Sequence, residues 1–205
     1  MEVDMVFKIL LAAAAMLPVF MGVSQGAVKD MVEYDSDPAH SSIDFSVRHM
    51  VISTVKGFFD KFEATIMYDT SDVTKSTVSV LINPESISTN NETRDKHLKS
   101  QDFFYVEKYP EITFKSTKIE KTADGLVMTG NLTIRDVTKE VSFPFVINGP
   151  ITDPWGNLRF GAEASLTINR QDYGVSWNKV LDSGGLTAGN DVKIDIQIEA
   201  VHAKE

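Results

Sequence analysis

Apolar and polar residues alternate with a period of two along most of this chain. Ile43, Phe45, Val47 and His49 are interleaved with Ser42, Asp44, Ser46 and Arg48, the pattern of a strand with one buried and one wet face. The alternation recurs at Val78, Val80 and Ile82, at Ile112 and Phe114, at Leu132 and Ile134, at Val141, Phe143, Phe145 and Ile147, and at Leu166 and Ile168. It is cleanest at Val192, Ile194, Ile196 and Ile198, set opposite Lys193, Asp195, Gln197 and Glu199. Turn-forming clusters separate the runs, among them Asp69 to Asp72, Ala123-Asp124-Gly125, Asn148-Gly149-Pro150 and Asp153 to Asn157. Short strands joined by such turns predict an all-β, antiparallel sandwich or barrel. Periodicity does not choose between them, because both bury one face of every strand. One short helix is expected over residues 92–99, capped by Asn91 or Thr93. No βαβ rhythm, phosphate-binding glycine loop or internal repeat interrupts the pattern.

The N-terminus reads differently. Lys8 precedes an apolar stretch from Ile9 to Val23, and small residues follow up to Ala27. This is the layout of a cleaved secretory signal, so residues 1–27 are expected to be a leader and residues 28–205 one domain. Glu2 and Asp4 make an acidic start that an export signal disfavours, and initiation at Met5 would remove both. Pro18 and Gly22 interrupt the stretch, which argues against a retained membrane anchor, so no stable insertion is expected once the leader is gone. The destination in a bacterial cell would be the periplasm. With 205 residues and 42% hydrophobic residues the chain can bury a real core. A net charge of −9 with scattered lysines excludes a nucleic-acid partner. The absence of cysteine rules out thiol catalysis, thiolate zinc sites and a lipoprotein anchor.

Candidate chemistry is sparse. Twelve phenylalanines are many for this length, and Phe45, Phe59, Phe62, Phe114, Phe143, Phe145 and Phe160 fall on the expected inward faces. Singly each reads as core; together, in a closed barrel, they would line an apolar tunnel. The segment Arg94-Asp95-Lys96-His97-Leu98 is either a solvated helix face with Arg94 and Asp95 paired locally, or a pocket rim. Phe103 and Phe104 then follow, and in an extended chain at most one of the two would face a cavity. His40, His49 and His97 sit in three separate motifs without metal-ligand spacing; His49 lies on an apolar face, beside a ligand's polar head or as a core histidine with both nitrogens satisfied. In Asn169-Arg170-Gln171-Asp172-Tyr173-Gly174, Arg170 and Asp172 are placed to pair at a strand end, Gly174 to adopt a positive φ, and Trp177 to close one end of a pocket. No nucleophile elbow or helical metal-binding pair is present, so no catalytic residue and no metal ligand is assigned.

Several of these segments occur together and in order in one family. DPAHSSIDFSVRH, RDKHL, SQDFF, YPEITFKST, GNLTIRDVTKEV and the NRQDYG run resemble the YceI-like family of periplasmic polyisoprenoid-binding proteins, from about Tyr34 to about Ala200. Tyr173 stands where the family has Phe, and Ala64 where it usually has Gly. The resemblance implies an extended, lipocalin-like antiparallel β-barrel of about eight strands with one or two short helices. It further implies a soluble exported carrier whose ligand is an amphiphilic isoprenoid lipid or quinone such as ubiquinone, with no cofactor required. On that reading Phe45, Val47, His49, Phe59, Phe62, Ile66 and Val80 belong to the cavity wall, as do Ile82, Phe114, Leu132, Phe143, Phe145, Ile168 and Trp177. Arg94, His97, Leu98, Phe103, Phe104, Arg170 and Tyr173 form the rim or lid. A homodimer is a further expectation from the family. Two other readings remain open from the residues: a β-rich interaction module with a filled core, and a metal-dependent enzyme using the three histidines.

Overall fold

Alternating residues with one greasy face must roll up or stack to hide it, and here the sheet rolls up. The computed structural model describes residues 30–180 and 187–202; the expected leader lies outside them. The strands are β1 (Met31–Ser36), β2 (Ser42–His49), β3 (Ser53–Phe59), β4 (Phe62–Asp69), β5 (Thr77–Ile82) and β6 (Ile87–Ser88). After helix α1 (Glu92–Lys99) come β7 (Ile112–Thr122), β8 (Gly125–Ile134), β9 (Val137–Thr152), β10 (Leu158–Asn169) and β11 (Ala188–His202). Short 3₁₀ turns occupy Val73–Lys75, Pro84–Ser86 and Arg170–Tyr173.

These strands make eight staves of a closed antiparallel barrel, because β1 with β2, β3 with β4, and β5 with β6 each form one bent stave. Each stave pairs with its neighbour in sequence. The ring closes where β11, paired along its length with β10, also pairs with β2 and, through Asp35–Val201 and Ser36–Ala200, with β1. The bends are tied off by hydrogen bonds. At the first, the Asp37 amide donates to the Glu199 carbonyl (2.8 Å) and the Glu199 amide donates to Ser41 Oγ (3.0 Å). At the second, the Lys61 amide donates to Ser86 Oγ (3.0 Å), and Asn83 donates to the Lys61 carbonyl (3.0 Å). Both bends thus satisfy backbone groups that a break in the ladder would otherwise orphan.

One seam is incomplete. The β9–β10 ladder stops at Phe145–Ala164, so residues 137–144 of β9 pair with β8 alone and residues 165–169 of β10 pair with β11 alone. Three apolar clusters coat the inner wall: one under α1 around Ile87, Phe103, Ile112 and Tyr173, one at the opposite end around Tyr34 and Phe160, and one along β7–β9 around Ile119 and Phe143.

Candidate functional site

The clusters do not meet in the middle. They enclose a cavity of about 420 Å³, inside the ordinary range of ligand pockets. Its lining runs from Val73, Phe160 and Ile198 at one end to Trp177 and Arg94, His97 and Leu98 of α1 at the other. On β10 alone the lining extends from Phe160 to Ile168, roughly 20 Å of barrel axis once strand rise and tilt are allowed for. The void is therefore long and slender.

Glycines help to keep it open. Phe45 lies directly across from Gly57, and a Cβ built on Gly57 would stand 2.4 Å from the Phe45 ring and 2.7 Å from the Ser88 carbonyl oxygen. A Cβ on Gly130 would meet the Phe114 ring at 2.4 Å. Both rings lie over a bare backbone, against the wall instead of across the lumen. Ala64, buried at 2% exposure, also borders the void with nothing larger than a methyl group.

The lid is built from Thr89 onward. Asn91 caps α1 by accepting from the Arg94 amide (3.0 Å). Arg94 and Asp95 do not pair with each other. Both bind the buried Thr89: Asp95 accepts from its amide (2.9 Å) and hydroxyl (2.5 Å), while Arg94 donates from Nε to Oγ1 (2.7 Å) and from Nη2 to the carbonyl (2.9 Å). This clamp fixes the first turn of α1 against the end of β6. Beyond the helix the chain turns tightly, with Phe104 donating to the Leu98 carbonyl and Tyr105 at φ 51°. Because the segment is turned and not extended, Phe103 and Phe104 both border the cavity, against the expectation that only one would. His97 bonds Asp102 through Nε2 (2.9 Å), and its ring stands edge-on to Phe103 (5.0 Å) and Trp177 (4.9 Å).

Arg170 also departs from expectation. It pairs with no carboxylate among the described residues. Its Nε donates to Gly189 O (2.8 Å), Nη1 to Val175 O (2.7 Å) and Trp177 O (2.9 Å), and Nη2 to Ala188 O (3.3 Å) and Asn190 Oδ1 (3.4 Å). A guanidinium has five donors; two hold the segment that carries Trp177 and three tie it to the start of β11. Burial pushes its pKa down from the usual value. Asp172 stays exposed, and Gly174 closes the turn at φ 73°, as its position demands. Tyr173 is buried; burial first, then the neighbouring Asp172 charge, pushes its hydroxyl pKa up.

Every residue expected in the wall or rim lines the void except Phe62. That ring is half-buried where β3 bends into β4 and packs between two apolar clusters, so it fills a joint instead of facing open space. The three histidines do not converge. His40 pairs with Asp37 (3.1 Å) at the bend of the first stave, while His49 and His97 border the cavity. The His49 ring has no hydrogen-bond partner among the described residues, so it is not the satisfied core histidine that its apolar face suggested. Arg159 sits beside the His40 bend, bonded to Asp37 (2.7 Å), Glu199 (2.7 Å) and Asp153 (2.8 Å).

Some wall residues escape a reading by alternation. Ile119 and Met128 line the cavity, yet Ile119 has the opposite parity from Ile112 and Phe114 on the same strand. A bulge between Ser116 and Lys118 flips the inward face. The isolated Ile119 between Lys118 and Glu120 was the available signal. Ala162 and Ala164 also line the void; as small residues they carry little hydropathy signal.

The profile of the YceI-like domain matches residues 34–200. A UPF0312 protein of Staphylococcus aureus (strain MSSA476) is 38% identical over 170 residues, covering 82% of this chain and 97% of its own length. Among solved structures, the YCEI protein of Campylobacter jejuni is 32% identical, with a TM-score of 0.64 over 77% of this chain and 90% of that one. The Burkholderia cenocepacia BcnA structure shares the fold at 21% identity, with a TM-score of 0.70 over 80% of this chain and 98% of that one. A polyisoprenoid binding domain from Saccharophagus degradans, implicated in plant cell wall breakdown, shares the fold at 12% identity, with a TM-score of 0.57 over 84% and 99%.

Proposed function

This chain belongs to the YceI-like family, and on that premise we propose that its barrel carries one amphiphilic lipid with a long isoprenoid tail, such as a quinone. The observation that carries the proposal is the slender apolar void of about 420 Å³ running from Phe160 to the underside of α1. Apolar burial stabilises by ~25 cal/mol per Å², so a branched hydrocarbon chain in such a channel binds firmly with few polar contacts. The polyisoprenoid binding of the Saccharophagus neighbour, alike in fold, agrees with a ligand of this shape.

The two ends of the void differ, and that difference orients the ligand. At the α1 end, Arg94 spends Nε and Nη2 on Thr89, and neither its Nη1 nor the His49 ring has a bond partner among the described residues. A quinone carbonyl or another accepting head belongs there, with the tail directed toward Phe160. With the leader over residues 1–27, the protein works as an exported carrier in the periplasm and shields its cargo from water. No step of this role needs a cofactor or a reaction.

Trp155 is 79% exposed, whereas Trp177 borders the void. In the Trp155→Phe variant the remaining indole therefore reports from the cavity. Titrating the delipidated variant with ubiquinone is expected to quench Trp177 emission with one-to-one stoichiometry, and native mass spectrometry should show the single adduct. Failure of both signals across isoprenoid quinones, polyprenols and fatty acids would refute the carrier reading.

A further inference from the structure

The α1 end of the barrel carries a feature that ligand enclosure does not use. Among the described residues, Ile52 is 82% exposed, Val180 68% and Val51 67%. Val51 and Ile52 form the tip of the β2–β3 hairpin. Val51 holds φ at 64° and Met50 at 49°, a backbone region that costs a β-branched residue strain. The tip is nonetheless pinned. Arg48 donates from Nη2 to the Val51 carbonyl and from Nη1 to Thr54 Oγ1 (3.1 Å), and the Met50 amide donates to the Thr187 carbonyl (3.0 Å). Thr187 in turn binds the Lys179 carbonyl through its amide (3.0 Å) and hydroxyl (2.7 Å). Val180 and the hairpin tip are thereby joined through one set of bonds. The residues that join them, Arg48, His49, Thr187 and Ala188, also line the cavity.

Two properties identify what covers this surface. Of the charged residues nearest the three apolar side chains in sequence, Arg48 and Lys179 are basic and exposed, while Asp182 follows Val180 by two positions, on a chain whose net charge is −9. The surface also adjoins the end of a void built for a cargo that dissolves in membranes and not in water. We infer that the β2–β3 tip and Val180 dock the barrel on an anionic lipid bilayer, with Val51, Ile52 and Val180 dipping into the headgroup region and Arg48 and Lys179 meeting its phosphates. Docking is transient and brings the α1 end of the cavity to the membrane from which cargo is loaded. The inference rests on the lipid-carrier reading for its purpose, but docking itself does not require cargo.

The test exploits the absence of cysteine. A single environment-sensitive fluorophore is placed at Ser53→Cys, next to the tip, or at Asp124→Cys, on the β7–β8 turn at the other end of the barrel. Vesicles of phosphatidylethanolamine and phosphatidylglycerol, free of any isoprenoid, are then added. The label at position 53 is expected to shift to the blue and that at 124 to stay unchanged. Val51→Asn with Ile52→Ser, chosen because Asn tolerates positive φ, should raise the vesicle concentration needed for the shift at least fivefold. Retention of Trp177 quenching by ubiquinone in this double variant would show that the cavity is intact. No shift at 53, an equal shift at 124, or an unaltered shift in the double variant overturns the inference. So does a shift at 53 that grows with protein concentration without vesicles, since a second copy would then be the occupant. Because the vesicles hold no cargo, failure of the carrier reading leaves this outcome independent.

Discussion

At the scale of single residues, the densest cluster of ion pairs, around Arg159, lies outside the lining of the void. Arg159 binds three carboxylates at the bend of the first stave. For Asp37, the hydrogen bond from Arg159 and then that from His40 lower the pKa to about 2 from an ordinary 3.8. For Asp153, burial pushes upward but is outweighed by bonds from Arg159, Asn157 and Trp155, and the pKa again falls to about 2. Both acids are lowered in the folded state, so their contribution is full above about pH 4 and is lost as pH falls toward 2. Calorimetry on Arg159→Met should show a lower Tm than the parent at pH 7, with the gap closing between pH 4 and pH 2. A constant gap would place the effect of Arg159 in packing alone. None of this was legible in the sequence: Asp37, Glu199 and the β9–β10 hairpin carrying Asp153 and Arg159 come from three separate segments, and no local pattern announces that they meet. The inward Phe45, Phe114, Phe143 and Phe145 were legible, because each sits on an unbroken alternating run.

At the scale of elements, legibility followed regularity. β2, β9 and β11 keep one parity over their inward residues and were read directly. The two halves of β7 were not equivalent, because the bulge after Ser116 turns Ile119 inward. The short helix was marked by two candidate caps, Asn91 and Thr93, and is found at residues 92–99 with Asn91 as its cap. What sequence could not convey was the turn after it, whose curvature brings Phe103 and Phe104 to the same side, or the role of Arg170 as a backbone clamp in place of a partner for Asp172. Arg170→Met strips donors from five acceptors, one buried and four half-buried, and should cost on the order of 3 kcal/mol. Hydrogen exchange should locate the damage in residues 175–179 and 187–190 first. Arg170→Lys should not restore protection, since an ammonium cannot reproduce the planar fork.

At the scale of the molecule, periodicity announced strands and turns but was silent on closure. A sandwich and a barrel bury the same faces, and only register decides which faces meet. The barrel was foreseen through the ordered motifs from DPAHSSIDFSVRH to NRQDYG, and the closed ladder agrees with it. Whether the interior would be filled was equally beyond a hydropathy reading, because the void depends on what Gly57, Gly130, Ala162 and Ala164 leave out. Ala164→Leu adds side chain to a wall that has room for it. The variant should keep or slightly raise the parental Tm, while native mass spectrometry shows at least tenfold weaker retention of ubiquinone. A large loss of Tm would mean that the neighbourhood of β10 is already close-packed.

The ring is completed by joining its first and last staves, and the Ser41–Glu199 bonds at that seam link residues 158 positions apart in the chain. Every other stave can find its neighbour by a local reversal, but this junction has to await β11. Contacts of such long sequence separation are formed slowly. Until β11 has docked, the sheet keeps an open edge with its oily side bare, and no guest can be enclosed before that final act of assembly.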